Sequence, residues 1–208
     1  MNVQAAYTVW SEQYDSNENK TRDLEAVALR NILSTISFAN CLEIGCGTGK
    51  NTVWLEQKAS QVKAVDLTNE MMDIARRKVQ TNKVSFELAD ISQDWHFAIG
   101  QYDLAVFSLV LEHIENVDPI FEKLAQCIQS GGYVYIGELH PFKQYAGSKA
   151  RYQTAEGEQV VTCFNHHLSD FTTAAFNNGF SITTIQEYFD EDNKSNLPRI
   201  LALLFQKG

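Results

Sequence analysis

Basic residues are in short supply: 17 lysines and arginines face 26 aspartates and glutamates, a formal charge of −9 over 208 residues. A chain so acidic repels a phosphate backbone, which speaks against DNA or RNA as substrate. Arg76-Arg77-Lys78 is the one basic cluster, and it sits in a helical pattern with acids nearby. No apolar run approaches the ~20 residues that span a bilayer. Met1 to Trp10 shows no basic region followed by an apolar stretch, so a cytoplasmic location is the default expectation. The four cysteines, Cys41, Cys46, Cys127 and Cys163, form no C-x-x-C pair. A disulfide framework and a zinc site are therefore not expected. Repeats and low-complexity segments are absent too.

What is present is alternation. Tyr7, Trp10 and Tyr14 recur at helical spacing, and a second stripe runs from Leu24 to about Ile36. Short apolar strands then alternate with helical patterns: 41–44, a helix near 49–59, 62–66, a helix capped by Asn69, and 84–88. Tyr102 to Leu109 is almost continuously apolar, as in a central strand buried on both faces. Asp118 reads as the cap of a helix with Pro119 at its first position, running to about Gln129 and stopped by Gly131-Gly132. A strand follows over 133–137. The order predicts one α/β domain over residues 1–208 with a doubly wound, mostly parallel sheet. Residues 1–38 would cover one sheet face. Segment 141–167, with a hairpin around Ala155 to Glu158, would be inserted beyond the fifth strand. A helix over 169–177 and two strands, 180–188 and 199–205, would close the sheet as an antiparallel pair.

The most informative stretch is Cys41-Leu42-Glu43-Ile44-Gly45-Cys46-Gly47-Thr48-Gly49. A strand that turns through glycines into a helix lets a ligand approach backbone and meet unpaired N–H groups. A phosphate-binding P-loop needs G-x-x-x-x-G-K-[ST], but Ile44 and Asn51 fill two of its required positions. A dinucleotide fingerprint needs a third glycine where Lys50 stands, so an NAD-linked oxidoreductase is the weaker alternative. What remains, G-x-G-x-G with an acid two residues before, resembles motif I of the class I S-adenosylmethionine-dependent methyltransferases of the small-molecule, type 11/12-like kind.

That resemblance covers roughly residues 40–208 and carries expectations. The fold would be Rossmann-like, with seven strands and an antiparallel last strand. The cofactor would be S-adenosylmethionine. Glu43, Gly45, Cys46, Gly47 and Gly49 would form its loop, and Asp66 would accept from both ribose hydroxyls. Leu67 with Met71 or Met72 would wall the adenine, and Asp90 with the Ile91 backbone would meet the adenine amino group. Leu109 would lie near the methionine portion. Tyr14 and Arg22 resemble a pair that closes over the cofactor carboxylate in some small-molecule enzymes; a guanidinium fork suits that role. Ser108 to His113 lacks the N-P-P-Y-like motif of enzymes acting on exocyclic base nitrogens. Glu112 alone makes no metal set, so no metal is expected.

Methyl transfer is an in-line displacement governed by positioning. A base is needed only for acceptors that arrive protonated. His140, after the fifth strand, and His113, after the fourth, are the candidates for it, with His166 and His167 behind them; His96 reads as structural or surface. Trp10, Phe142, Tyr145 and Tyr152 would enclose a small-molecule acceptor, with 141–167 as its lid. No membrane partner is implied. A homologue that binds the cofactor without turnover stays open, as does the oligomeric state, a homodimer included.

Overall fold

The computed structural model describes residues 3–154 and 157–208, and within them all side chains except those of residues 12, 152–154 and 158. Two helices come first, α1 (Val3–Tyr14) and α2 (Lys20–Leu33). Then β1 (Asn40–Ile44), α3 (Thr52–Lys58), β2 (Gln61–Asp66), α4 (Asn69–Lys78), β3 (Val84–Leu88) and β4 (Tyr102–Ser108) alternate. They are followed by α5 (Asp118–Cys127) and β5 (Ile128–Leu139). After β5 come α6 (Pro141–Tyr145), the hairpin β6 (Arg151–Thr154) and β7 (Gly157–Val160), α7 (Leu168–Asn177), β8 (Phe180–Tyr188) and β9 (Ile200–Lys207).

The seven-stranded sheet has the order β3-β2-β1-β4-β5-β9-β8, with β6 and β7 pairing apart from it. Strands β3 to β5 run parallel, and β9 lies antiparallel between β5 and β8. The period of two along each strand sorts side chains into two cores. Leu42, Ile44, Ala105 and Phe107 face α5 and α7, where Phe121, Leu124 and Phe171 are buried. Cys41, Ala64, Leu104 and Val106 face the other way, onto Leu29 and Leu33 of α2, Leu55 of α3 and Met72 of α4. Both faces of the central strands are covered, which is why β4 reads as one apolar run.

Several boundaries differ from the sequence expectation. α5 ends at Cys127, and β5 begins at once, so Gly131-Gly132 lie inside a strand rather than at a helix stop. The Lys207 ammonium bonds the carbonyls of Ala125 and Ile128, satisfying the helix end from the last strand. Asn69 and Asp118 are first helical residues; the preceding Thr68 and Val117 occupy the cap positions. α6, five residues long, opens the segment beyond β5. Its proline at the first turn costs no hydrogen bond, and the His140 side chain accepts from the Phe142 N–H.

Candidate functional site

The strand ends of β1, β2 and β4 leave a crevice where the sheet order reverses, the usual ligand position in an open α/β sheet. The turn after β1 shapes its floor. Gly45, Gly47 and Gly49 all have positive φ, +71°, +52° and +82°. They serve different purposes. A Cβ on Gly45 would stand 2.3 Å from a Val110 methyl, and one on Gly49 would stand 2.9 Å from the Ala75 Cβ. Gly49 borders none of the three cavities beside the turn; its close approach is to Ala75 of α4. Gly47 faces open space, with nothing within 4 Å of a Cβ built on it, and borders two cavities.

The first cavity, of about 370 Å³, runs from this turn along the ends of β2, β3 and β4. Asp66, Leu67, Met71, Asp90, Ile91 and Leu109, all singled out in the sequence, line it together. Met72 does not; it is wholly buried in the core beneath α4. Asp66 is more occupied than its expected role implied. Its Oδ2 accepts the Gly47 N–H at 2.8 Å, and its Oδ1 accepts the Thr68 N–H and O–H at 2.9 and 2.8 Å. Burial pushes the Asp66 carboxyl up from its ordinary range, and bonds from Thr68, Gly47 and the Leu67 backbone pull it back.

A small second chamber of about 50 Å³ opens behind the turn. Arg22, Glu43 and Cys46 line this chamber rather than the first cavity. Arg22 lies 4.7 Å over the Tyr14 ring, and its terminal nitrogens bond the carbonyls of Tyr14 and Asn17. Among the described residues its buried Nε has no partner, and neither does the Asn51 Oδ1 in the same chamber. Glu25 accepts from Asn51, Ser108 and Tyr135, and Glu43 from Thr52 at 2.6 Å. Burial pushes the Glu25 carboxyl up to about 7 and that of Glu43 to about 8.

A third cavity, of about 380 Å³, adjoins the first across Tyr7, Tyr14 and Leu109. The Tyr7 hydroxyl lies 2.9 Å from His113 Nε2, and His113 Nδ1 lies 2.9 Å from the Thr162 carbonyl oxygen. A carbonyl only accepts, so in the neutral ring Nδ1 carries the proton and Nε2 accepts from Tyr7. Glu112 Oε1 stands 3.9 Å from the same Nε2. Cys163 completes the cluster; burial and the Glu112 charge push its thiol up to about 12. Tyr7 escaped the sequence reading because helical spacing explained it. Only the contact across 106 residues reveals the pair.

Of the other histidines, His140, His166 and His167 hold structural positions, and His96 is at the surface as expected. His140 borders none of these cavities; its Nδ1 caps α6 and its Nε2 bonds Glu187 at 2.9 Å. The buried His166 Nε2 lies 3.0 and 2.8 Å from the Leu111 and Ile114 carbonyls, bracing the loop after β4. His167 caps α7, and His96 is exposed. Phe142 and Tyr145 are half exposed and pack on the outer side with His140 and His167, away from the cavities. They line none of these cavities, whereas Trp10 lines the third; the Tyr152 side chain lies outside the described residues.

Residues 42–136 match the family described as "Methyltransferase domain". The chain is 23% identical to an uncharacterized methyltransferase, AN0656, of Emericella nidulans, over 86% of this chain and 76% of that one. It is 29% identical to the magnesium-protoporphyrin O-methyltransferase of Rhodobacter capsulatus, over 50% of this chain and 47% of the relative, so it spans about half of that protein. In three dimensions it overlays the DhpI–SAH complex with a TM-score of 0.76 at 21% identity, covering 98% of this chain and 94% of the other. The overlay concerns fold; the family match covers the glycine turn and strands β1 to β5. Residues 42–136, with the glycine turn, thus match the methyltransferase-domain family, and the chain as a whole shares the fold of S-adenosylmethionine-dependent methyltransferases.

Proposed function

We propose that the protein methylates a small-molecule acceptor whose reacting atom arrives protonated, a hydroxyl or an ammonium, and that Tyr7 and His113 take its proton. The observation that carries this is the Tyr7 hydroxyl on the wall shared by the first and third cavities, with an acceptor nitrogen of His113 behind it.

The residues around the turn fit the cofactor. Gly47 presents bare backbone to the space, while the unpartnered Arg22 Nε and Asn51 Oδ1 offer a donor and an acceptor to a zwitterionic amino-acid end. Asp66 would take one ribose hydroxyl, Leu67 and Met71 the adenine face, Asp90 and Ile91 its edge, and Leu109 the methionine portion. Glu43 and Cys46 would back the small chamber. S-adenosylmethionine, when bound, supplies a methyl group on a positively charged sulfur. Residues 146–151 would wall the acceptor, which keeps a covering role for that part of segment 141–167.

As the acceptor atom gains the methyl, its proton passes to the Tyr7 oxygen while the Tyr7 proton passes to His113 Nε2. Burial holds the Tyr7 hydroxyl well above 10, so it relays rather than ionises. The resulting imidazolium keeps its Thr162 bond and faces Glu112. General-base help of this kind is worth ~10²–10⁴ in rate. Relatives named as O-methyltransferases support the small-molecule reading.

The test begins with labelled S-adenosylmethionine and a metabolite pool to find the acceptor. Tyr7→Phe and His113→Gln should then lower kcat by roughly 10²-fold or more, with S-adenosylhomocysteine affinity within threefold. Full turnover in Tyr7→Phe would remove the relay. S-adenosylhomocysteine should bind and NAD should not.

A further inference from the structure

Between the first and third cavities the fold gathers three metal-ligating side chains, two adjacent in sequence and one far from them. Glu112 and His113 stand in the single 3-10 turn Leu111–His113 after β4, and Cys163, 50 residues from His113, follows β7. A carboxylate oxygen, a ring nitrogen and the thiol sulfur, one from each, all lie within 4.8 Å of one another. We propose that these three side chains hold a thiophilic divalent cation of the Zn²⁺ kind, and that the ion, once held, shuts off the proton relay from Tyr7. The shut-off rests on the relay proposed above; the binding does not.

Donors around a tetrahedral zinc stand roughly 3.3–3.7 Å apart, given bonds of about 2.0–2.3 Å. Cys163 Sγ is 3.9 Å from His113 Nδ1, and Glu112 Oε1 is 3.9 Å from His113 Nε2, so small side-chain rotations close the set. The backbone beneath it is already fixed. The Phe164 N–H donates to the Glu112 carbonyl at 2.7 Å, and His166 Nε2 meets the carbonyls of Leu111 and Ile114. Ligands held before the ion arrives cost less ordering entropy on binding. Glu112 lines the third cavity and His113 the first, which gives the ion a way in. A thiolate, an imidazole and a carboxylate together suit zinc or cobalt, whereas magnesium and calcium take sets of oxygens. Burial keeps the Cys163 thiol protonated without the ion, and a dication at bonding distance drives that proton off to solvent.

His113 has two nitrogens, and binding at either one stops the relay. An ion on Nε2 takes the lone pair that accepts from Tyr7. An ion on Nδ1 displaces the proton shared with the Thr162 carbonyl, and the neutral ring then carries its proton on Nε2. Nε2 becomes a donor and cannot receive the Tyr7 proton.

The site can be tested without knowing the acceptor. Metal-stripped, S-adenosylhomocysteine-loaded protein is titrated with Zn²⁺ against a chromogenic chelator, and one ion should bind per chain. Mg²⁺ or Ca²⁺ in large excess should not displace it. Co²⁺ should give a thiolate-to-metal charge-transfer band. Cys163→Ser should remove that band and weaken Zn²⁺ at least tenfold, and Glu112→Gln should weaken it in the same direction. S-adenosylhomocysteine affinity within threefold checks that each variant folds; if one does not, the other decides. In turnover by the wild-type protein, Zn²⁺ should inhibit over the range in which it binds, and a chelator should restore the rate. No saturable binding, or Zn²⁺ held equally well by the folded variants, would overturn the site. Full turnover with the site filled, in a protein that Tyr7→Phe slows, would overturn the shut-off. A fully active Tyr7→Phe would instead overturn the relay beneath it, and the titration would still decide the site.

Discussion

Replacing Asp66 by Asn changes one atom and should disturb two things at once. In the native protein three donors converge on the carboxylate: the Gly47 N–H on one oxygen, the Thr68 N–H and O–H on the other. An amide has one oxygen. If it keeps the Thr68 bonds, its NH₂ faces the Gly47 N–H; if it flips, it faces Thr68. One donor is left opposed either way, at a cost of ~1–3 kcal/mol for an unsatisfied buried group. The amide is spared the desolvation that raises the Asp66 carboxyl, which offsets part of that cost. A net loss of about 1–2 kcal/mol at pH 8 follows. It should grow toward acid pH, because a carboxyl held above its ordinary range favours the fold as it takes up a proton and the amide has none to take up. Binding should suffer separately. The missing charge-assisted bond to a ribose hydroxyl is worth ~1.5–3 kcal/mol, or roughly ten- to hundredfold in Kd. Urea unfolding at two pH values and calorimetry with S-adenosylhomocysteine read the two effects independently. A variant as stable as wild type and binding within threefold would refute both the brace and the ribose contact.

Other substitutions separate residues that look alike in sequence. Gly49→Ala should cost about 2–4 kcal/mol in urea unfolding, from positive φ and the crowding against Ala75. Gly47→Ala has space for its methyl and should cost only ~1–2 kcal/mol while still weakening S-adenosylhomocysteine binding, because the methyl would enter the space proposed for the cofactor. His140→Ala should lower stability by about 1–3 kcal/mol through the lost α6 cap and Glu187 bond, with transfer activity unchanged. Stability should fall as pH rises from about 5 to 8. Glu25, at about 7, and Glu43 and Glu138, at about 8, hold protons more tightly when folded than when unfolded, so raising the pH favours the unfolded chain. Below pH ~4 the slope should reverse as Asp15 and Asp190, both held below the ordinary range by their partners, become protonated. Chemical unfolding across pH 3–9 checks both limbs.

The sheet was legible because its strands are short, apolar and spaced by helices, and period-two burial leaves a direct trace in composition. The first cavity was nearly as legible: Asp66, Asp90 and the glycines sit at strand ends, where chain order alone predicts their neighbours. The acceptor side was not. Its walls come from α1, the loop after β4, residues 146–151 and Arg199, which no local spacing relates. His140 illustrates the limit. Its place at the end of β5 suggested chemistry, but a proline-started helix and a glutamate on β8 engage both ring nitrogens. Conversely, Tyr7 carried a bland helical signal and turned out to touch His113.

The N-terminal helix has a kinetic consequence. α1 lines both the first and third cavities through Tyr7 and Tyr14, so donor and acceptor share one roof. Its fastenings are mostly peripheral and polar: Gln4 to the Leu67 carbonyl, Thr8 to Glu70, and Asp15, just beyond the helix, to Thr48 and Lys78. Among the described residues its buried apolar cluster is Ala6, Trp10 and Val161, with Val3, Tyr7, Tyr14 and Ala150 partly buried against it. Few buried contacts mean a low free energy of local opening. Spent cofactor and methylated product would then leave by the same hinge. The turnover number would follow how often that helix lifts, and moderate salt, which screens the Asp15–Lys78 pair, would quicken the cycle rather than slow it.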